Sequence, residues 1–213
     1  MDLILTLLDM ALHLDKTLAQ VVADYGSLTY ILLFAIVFCE TGLVITPFLP
    51  GDSLLFATGA MAGAGMLDWA LLLPMLFVAA VVGDSVNYAI GRRVGPAIFE
   101  RETRFINKKH LEEAHRFYER HGGKTIVLAR FIPIIRTFAP FVAGVATMDY
   151  SRFLFYNVTG GFVWVGGLLG AGYLFGNLPV VKDNFSAVIY LIIFLSITPI
   201  LAEFGKKLLA RRR

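Results

Sequence analysis

The sequence of 213 residues lacks several features on which secreted domains and soluble enzymes depend. Its one cysteine, Cys39, excludes an intramolecular disulfide, and no residues near it have the spacing of a metal site. It contains no Walker or dinucleotide loop, so ATP is not expected to drive its activity directly. The chain begins Met-Asp, without the basic region and cleavage site of a secretory signal, and has no lipidation motif. We therefore expect neither cleavage nor a lipid anchor.

Charged residues are also scarce. Only 16% of the residues are charged, whereas 57% are hydrophobic and the mean hydropathy is +0.71. This composition excludes an ordinary soluble domain. It predicts an all-α membrane protein, a polytopic helical bundle that forms a single integral-membrane domain over residues 1–213. The predicted spans are residues 28–45, 69–90, 153–175 and 185–204.

The segments outside these spans are polar or amphipathic. Residues 1–25 carry apolar side chains on one helical face, which predicts an interfacial amphipathic helix. Gly91 and the two arginines after it are expected to end the second span. The loop that follows, residues 91–124, contains a second amphipathic helix over residues 108–121. The chain ends in a basic tail, residues 205–213.

Prolines and glycines interrupt two further apolar stretches. At membrane depth such breaks are tolerated only where the backbone is buried in protein or lines a cavity. We therefore expect both stretches, residues 46–66 and 125–148, to be re-entrant hairpins that do not cross the bilayer. The interrupting residues are Pro47, Pro50 and Gly51 in the first and Pro133 and Pro140 in the second.

The distribution of basic residues favours this topology. The loop from Arg92 to Lys124 holds nine lysines or arginines and the tail five, whereas residues 176–184 hold only Lys182. Basic loops favour the cytoplasm. The loop and the tail lie on the same, cytoplasmic side of the membrane only if both interrupted stretches are re-entrant. We therefore expect a cytoplasmic basic loop and a cytoplasmic C-terminus.

The two re-entrant stretches also resemble each other in sequence. Residues 47–50 and 59–62 of the first align with residues 133–136 and 143–146 of the second. Because the predicted topology brings the two hairpins in from opposite faces, the sequence indicates an inverted repeat like that of secondary transporters. The two predicted halves are residues 28–90 and 125–204.

Four ionisable residues stand out among those predicted to lie at membrane depth, namely Glu40, Asp52, Arg130 and Arg136. Each charge at bilayer depth costs about 2.5–3.5 kcal/mol, so it persists only if it pairs, faces water or binds a charged ligand. We expect these four residues to form the substrate site. The two arginines can converge if Pro133 breaks the helix between them, and two guanidiniums suit a phosphate. Alternatively, each arginine pairs with Glu40 or Asp52 and locks the hairpins together.

The acidic and amide residues of the apolar segments have more specific candidate roles. Glu40 is the best candidate for a proton carrier, while Asp52 either takes part in transport or caps the first re-entrant helix. Asp84 and Asn87 share one helix face. They either line the cavity or hydrogen-bond neighbouring helices, and we assign them a supporting role.

Aromatic and glycine residues have a functional and a packing interpretation. Tyr88, Trp69, Trp164 and Tyr173 either contact lipid or pack within protein, and packing is the commoner case. A series of glycines in the third span predicts close helix packing, either internal or between subunits of a homo-oligomer.

Three spaced motifs carry a resemblance to a known family, namely Glu40…Pro47-x-x-Pro50-Gly51-Asp52, Gly83-Asp84-x-x-x-Tyr88-x-x-Gly91-Arg92 and Arg130-Phe131-x-Pro133-x-x-Arg136-x-x-x-Pro140-x-x-x-Gly144. From about Gly26 onward, the chain resembles the bacterial DedA family of membrane proteins. The eukaryotic VTT-domain lipid scramblases are more distant relatives of that family.

The resemblance implies a multi-pass transporter of the bacterial inner membrane. The implied substrate is a phosphate-bearing lipid such as undecaprenyl phosphate, carried with the help of the proton-motive force in support of envelope homeostasis and cell division. Membrane lipid and protons are thus the expected partners, and no metal, cofactor or nucleic acid is expected. The residues that match the functional charges of the family are Glu40, Asp52, Arg130 and Arg136, with support expected from Asp84, Asn87, Tyr88, Pro133 and Pro140.

Three other functions compete with lipid transport. A proton-coupled antiporter of small cations or drugs would use Glu40 and Asp52 as carriers. A membrane enzyme such as a lipid phosphatase generally needs a histidine or another nucleophile beside the phosphate. Because all four histidines lie outside the predicted spans, we do not expect an enzyme. A scaffold for other membrane proteins would have no need of buried charge.

Overall fold

The computed structural model describes residues 14–43, 51–100, 123–184, 187–188 and 190–192. Within these ranges every regular element is a helix, as the composition predicts. Several predicted features lie outside the described residues: the first part of the interfacial helix, Pro47 and Pro50, the helix at residues 108–121, most of the last span and the basic tail.

Eight helices run through the described part of the chain up to Asp183. They are α1 (Leu14–Tyr25), α2 (Leu28–Gly42), α3 (Gly51–Gly63), α4 (Trp69–Glu100), α5 (Lys124–Ala129), α6 (Pro133–Val145), α7 (Tyr150–Phe175) and α8 (Pro179–Asp183).

Helix α4 is longer than the sequence predicts. It continues through Gly91 to Glu100, so the prediction that Gly91 and the two arginines after it end this helix is wrong. A glycine inside a helix costs only about 1 kcal/mol relative to alanine, and close packing against another helix can offset that cost. Gly91 packs in this way, because a Cβ at this position would overlap the carbonyl oxygen of Phe141.

Among the described residues, two helices have the length and apolar composition needed to cross a bilayer. They cover Trp69–Gly95 and Tyr150–Phe175, which correspond to the second and third predicted spans. Leu28–Gly42 and Ile135–Val145 are apolar but shorter. Large apolar side chains are exposed along both long helices, among them Val78 and Phe162. Such surfaces are stable in lipid and unfavourable in water.

The chain divides into two compact units. The first unit comprises the described residues within Met1–Phe34, Pro50–Met75 and Val165–Arg213. The second unit comprises the described residues within Ala35–Leu49 and Leu76–Trp164. Helices α2, α4 and α7 contribute residues to both units.

In the first unit, α3 packs closely against the last part of α7. A Cβ on Gly59 would overlap the carbonyl oxygen of Leu169, and one on Gly172 would overlap the carbonyl oxygen of Phe56. The side-chain amide of Asn177 also donates to the carbonyl of Ala60 at 2.9 Å. These glycines let the two backbones approach as closely as in other small-residue helix pairs of membrane proteins.

In the second unit, α6 packs against α4 in the same manner. A Cβ on Gly144 would overlap the carbonyl oxygen of Tyr88, just as one on Gly91 would overlap that of Phe141. The Tyr88 ring stacks on Phe153 with centroids 4.5 Å apart, and its hydroxyl donates to the carbonyl of Met148. Helix α6 is thereby held at both its middle and its end.

Helices α3 and α6 end in the same type of turn. Gly65 and Thr147 both have positive φ, at 78° and 55°. In each turn the next residue donates its N–H to a carbonyl five residues back, as in a Schellman cap: Met66 to Met61 at 2.9 Å, and Met148 to Ala143 at 3.0 Å. Threonine is β-branched, so Thr147 is a strained residue in this conformation.

This strain predicts opposite effects of two matched substitutions. We expect Thr147→Gly to raise the free energy of unfolding by about 1 kcal/mol, because a non-glycine residue in the left-handed region costs roughly 1–2 kcal/mol. Gly65→Ala should lower it by a similar amount through backbone strain alone, since an added Cβ meets nothing within 4 Å. Thermal unfolding in detergent micelles measures both, and a stabilising Gly65→Ala would contradict the assignment of strain.

Candidate functional site

A break between two helices of the second unit positions Arg130. Helix α5 ends at Ala129, and Pro133 is the first residue of α6. Ile132 between them is extended, with φ −121° and ψ 106°, the conformation that a following proline favours. The prediction that Pro133 breaks the helix is confirmed. Pro140 lies inside α6 without ending it, although it cannot donate to the carbonyl one turn earlier.

Arg130 lies in this break and is held by two buried side chains. Its Nη2 donates to Oδ2 of Asp84 on α4 and to Oδ1 of Asn157 on α7. Asn157 is itself oriented by α4, because its amide donates to the carbonyl of Val81 at 2.9 Å and to Oγ of Ser85 at 3.3 Å. The guanidinium is therefore fixed between two helices by a network rather than by one ion pair.

Arg136, on the first turn of α6, forms a second ion pair. Its Nη2 donates to Oε1 of Glu40 on α2, and Glu40 is fully buried. Thr41 and Thr137, which follow Glu40 and Arg136 in the sequence, are linked to each other through Asn87. The side-chain amide of Asn87 donates to the carbonyls of Thr41 at 3.1 Å and Thr137 at 2.7 Å. Asn87 thus ties α2 and α6 together beside the ion pair.

The ring of Trp164 is shared by the two arginines. The Cζ atom of Arg136 lies 4.9 Å from the ring centroid, and that of Arg130 lies 5.9 Å from it. The side chain is 2% exposed. Both distances are within the range of cation–π attraction, which strengthens when the groups are removed from water.

The charges of this site balance. Two arginines and two carboxylates are each almost fully buried, and their formal charges sum to zero. Removing either partner of a pair would leave an uncompensated buried charge. Hydrogen-bonding capacity remains, because Nε of Arg130 and Oδ1 of Asn87 are buried without a hydrogen-bond partner in the part of the chain that the structure describes. These two atoms therefore keep unused hydrogen-bonding capacity within the site.

The structure corrects two assignments made from the sequence. Arg136 does pair with Glu40, one of the expected partners, but Arg130 pairs with Asp84 rather than with Glu40 or Asp52. Asp84 was expected to have a supporting role, either lining the cavity or hydrogen-bonding neighbouring helices, and it forms a direct ion pair with Arg130. Asp52 is the second residue of α3, so it lies within the first turn and not at the N-cap. A carboxylate there still suits the positive end of the helix dipole.

The structure also gives the positions of Asp52 and Tyr88, two further residues that were assigned roles from the sequence. Asp52 belongs to the first unit, so the prediction that it joins the other three charges in one site stays a prediction. Tyr88 packs in the core of the second unit rather than against lipid. The transport roles of all these residues also stay predictions.

Two contacts at the site were not predicted from the sequence, those of Asn157 and Trp164. A signal for them exists, because Gly160 and Gly161 each lie three or four residues from both Asn157 and Trp164, which places the four residues on one face of α7. Gly160 and Gly161 make room for Arg130, whose Cδ lies 3.0 Å from the position of a Cβ on Gly160. Asn157 is also the one amide side chain within an otherwise apolar span.

Known proteins provide independent information on this chain. Residues 49–174 match the family described as the VTT domain. The chain is 52% identical over 202 residues to Protein DedA of Escherichia coli strain K12, covering 93% of this chain and 92% of that protein. It is 47% identical over 167 residues to an uncharacterized membrane protein of Mycobacterium leprae, covering 78% and 75% of the two chains. It is also 36% identical over 158 residues to inner membrane protein YqjA of Escherichia coli strain K12, covering 71% and 69%. No solved structure matches the chain.

Proposed function

Because this chain belongs to the DedA family of VTT-domain membrane proteins, we propose that it transports a phosphate-bearing lipid such as undecaprenyl phosphate across the bacterial inner membrane. The observation that carries the proposal is the pair of buried arginines, each bound to one carboxylate and both lying against Trp164. Guanidiniums bind phosphate oxygens through forked hydrogen bonds, which makes such a pair suited to an anionic headgroup.

Ligand binding is an exchange of anions on the arginines. A phosphate entering the site takes the place of Glu40 on Arg136 and of Asp84 on Arg130. A displaced carboxylate is then buried without a counter-ion, so it takes up a proton and becomes neutral. Transport is thereby linked to protons and to the proton-motive force. In the cell this activity supports envelope homeostasis and cell division.

An inverted repeat is the second part of the proposal. The support comes from matched contacts inside the two units. Gly59 on α3 approaches the carbonyl of Leu169 on α7, as Gly144 on α6 approaches the carbonyl of Tyr88 on α4. Each short helix is 13 residues long and is followed by a left-handed residue, an aspartate and a long helix.

The aspartates at the start of the long helices play matching roles. Asp68 accepts a hydrogen bond from the N–H of Ala70 at 2.8 Å, and Asp149 accepts one from the N–H of Arg152 at 3.0 Å. We propose that α3 and α6 are the re-entrant segments expected from the sequence. Their entry from opposite faces and the cytoplasmic position of the basic loop rest on the count of basic residues.

The principal alternative is proton-coupled antiport of small cations or drugs. Such a substrate would have to displace a guanidinium from Glu40 or Asp84 and leave that arginine buried without an anion. An anionic substrate creates no such unpaired cation, because it replaces the carboxylate on the arginine itself. The charge arrangement of the site therefore favours an anion.

Substitution of each arginine by lysine tests the proposed headgroup site. Lysine keeps the positive charge that the buried carboxylates need but cannot form the planar fork. We expect Arg130→Lys and Arg136→Lys to weaken binding of farnesyl phosphate, a short polyprenyl monophosphate, by about ten- to a hundredfold, since a charged hydrogen bond contributes about 1.5–3 kcal/mol. Isothermal titration calorimetry on the purified protein in detergent micelles measures this affinity.

The matched control is Arg93→Lys, at an exposed position of α4, which should leave the affinity unchanged. Equal binding by the wild type and both site variants would refute the headgroup site. Proton flux driven by a sodium or potassium gradient, in phosphatidylethanolamine–phosphatidylglycerol vesicles without any binding of farnesyl phosphate, would instead establish the antiporter.

A further inference from the structure

One residue of the site has no role in the anion exchange described above. Trp164 is the side chain that both guanidiniums share, at 4.9 Å from Arg136 and 5.9 Å from Arg130. Arg130 lies in the helix break and Arg136 follows it on α6, and their carboxylates come from different helices, α4 and α2. Trp164 is thus a contact that the two ion pairs have in common.

The face of α7 that carries Trp164 is shaped around Arg130. Asn157 accepts a hydrogen bond from the guanidinium one helical turn before Gly160 and Gly161. A Cβ on Gly160 would lie 3.0 Å from Cδ of Arg130, and one on Gly161 would lie 3.6 Å from its Nη1. This face therefore places an acceptor, a gap and an aromatic ring along one arginine side chain, which is more than apolar packing requires.

We propose that Trp164 is a positioning residue that holds both guanidiniums ready for a single anionic ligand. This inference rests on the proposed function, because it concerns the moment at which phosphate replaces the carboxylates. When Asp84 and Glu40 leave the arginines, the negative face of the indole ring still attracts both cations. The ring therefore limits how far either guanidinium can move, and both remain directed at the same phosphate. The charged and polar groups that face this arrangement are Arg130, Arg136, Glu40, Asp84 and Asn157.

The sequence offers a direct spectroscopic test, because the chain has only two tryptophans. Trp69 packs on the Tyr173 ring in the first unit and is outside the proposed site. A Trp69→Phe variant therefore reports Trp164 alone through its fluorescence. We expect farnesyl phosphate to change the Trp164 emission with saturation, at the concentration where calorimetry detects binding. Farnesol, which lacks the phosphate, should not change it.

Two substitutions of Trp164 separate positioning from packing. Trp164→Phe keeps an aromatic face, so the affinity for farnesyl phosphate should stay within about threefold of the wild type. Trp164→Leu keeps an apolar side chain but loses the ring, and we expect its affinity to fall by about tenfold or more. Equal affinities of the phenylalanine and leucine variants would overturn the inference.

The emission experiment keeps the inference falsifiable even if Trp164→Leu does not fold, because it uses the native ring. Binding that calorimetry detects without any change in Trp164 emission would show that the ring is away from the ligand. That result would overturn the positioning role and leave the proposed function standing. Absence of farnesyl phosphate binding to the wild type would overturn both.

Discussion

Asp84→Ala is expected to lower the free energy of unfolding by about 3–5 kcal/mol, because it leaves the Arg130 guanidinium as a buried charge without its anion. Asp84 and Arg130 are each only 4% exposed, so water cannot compensate for the lost partner. Asn157 would remain as a neutral acceptor, which stabilises a cation less than a carboxylate does. Thermal and denaturant unfolding in detergent micelles measure the loss.

The double variant Asp84→Leu/Arg130→Met is the informative control. Because it removes both charges and keeps apolar volume, we expect it to recover most of the stability lost in Asp84→Ala. It should nevertheless bind farnesyl phosphate much more weakly than the wild type. Asp24→Ala, at an exposed position of α1, controls for loss of a carboxylate and should change stability by less than about 0.5 kcal/mol. An Asp84→Ala variant as stable as the wild type would contradict the ion pair.

Gly144→Leu should strongly destabilise the second unit. Its Cβ would overlap the carbonyl oxygen of Tyr88 and lie 2.8 Å from the backbone nitrogen of Arg92. These are backbone atoms of a long helix, so α6 and α4 would have to separate. We expect a loss of more than about 3 kcal/mol, at or beyond the usual range for overpacking, and little folded protein on purification.

Gly166→Leu is the matched control on α7, because an added Cβ at this position meets nothing within 4 Å. It should change stability by less than about 1 kcal/mol, in the stabilising direction, since leucine is a better helix former than glycine. Gly59→Leu in the first unit should behave like Gly144→Leu, because its Cβ would meet the backbone of Leu169 in the same way. A well-folded Gly144→Leu protein would contradict the close packing of α6 on α4.

Much of this architecture could be predicted from the sequence. The apolar runs predicted the two long helices, and Pro133 predicted the break before α6, because a proline restricts both its own backbone and that of the residue before it. The rarity of charge in apolar segments was enough to single out Glu40, Arg130 and Arg136, since each is too costly to bury without compensation. These are local properties, which composition and spacing record directly.

Only the tertiary structure decided which partner each arginine has. Asp84 and Arg130 are 46 residues apart and Glu40 and Arg136 are 96 apart, and no periodicity in the chain relates residues at such separations. The same holds for the Trp164 ring, because the sequence shows that the residue is aromatic but not that its ring contacts two guanidiniums. Pairing depends on how helices are placed against each other through backbone contacts such as that of Gly144. A linear sequence shows that buried charges must be compensated, whereas the packing of the helices determines which residues compensate them.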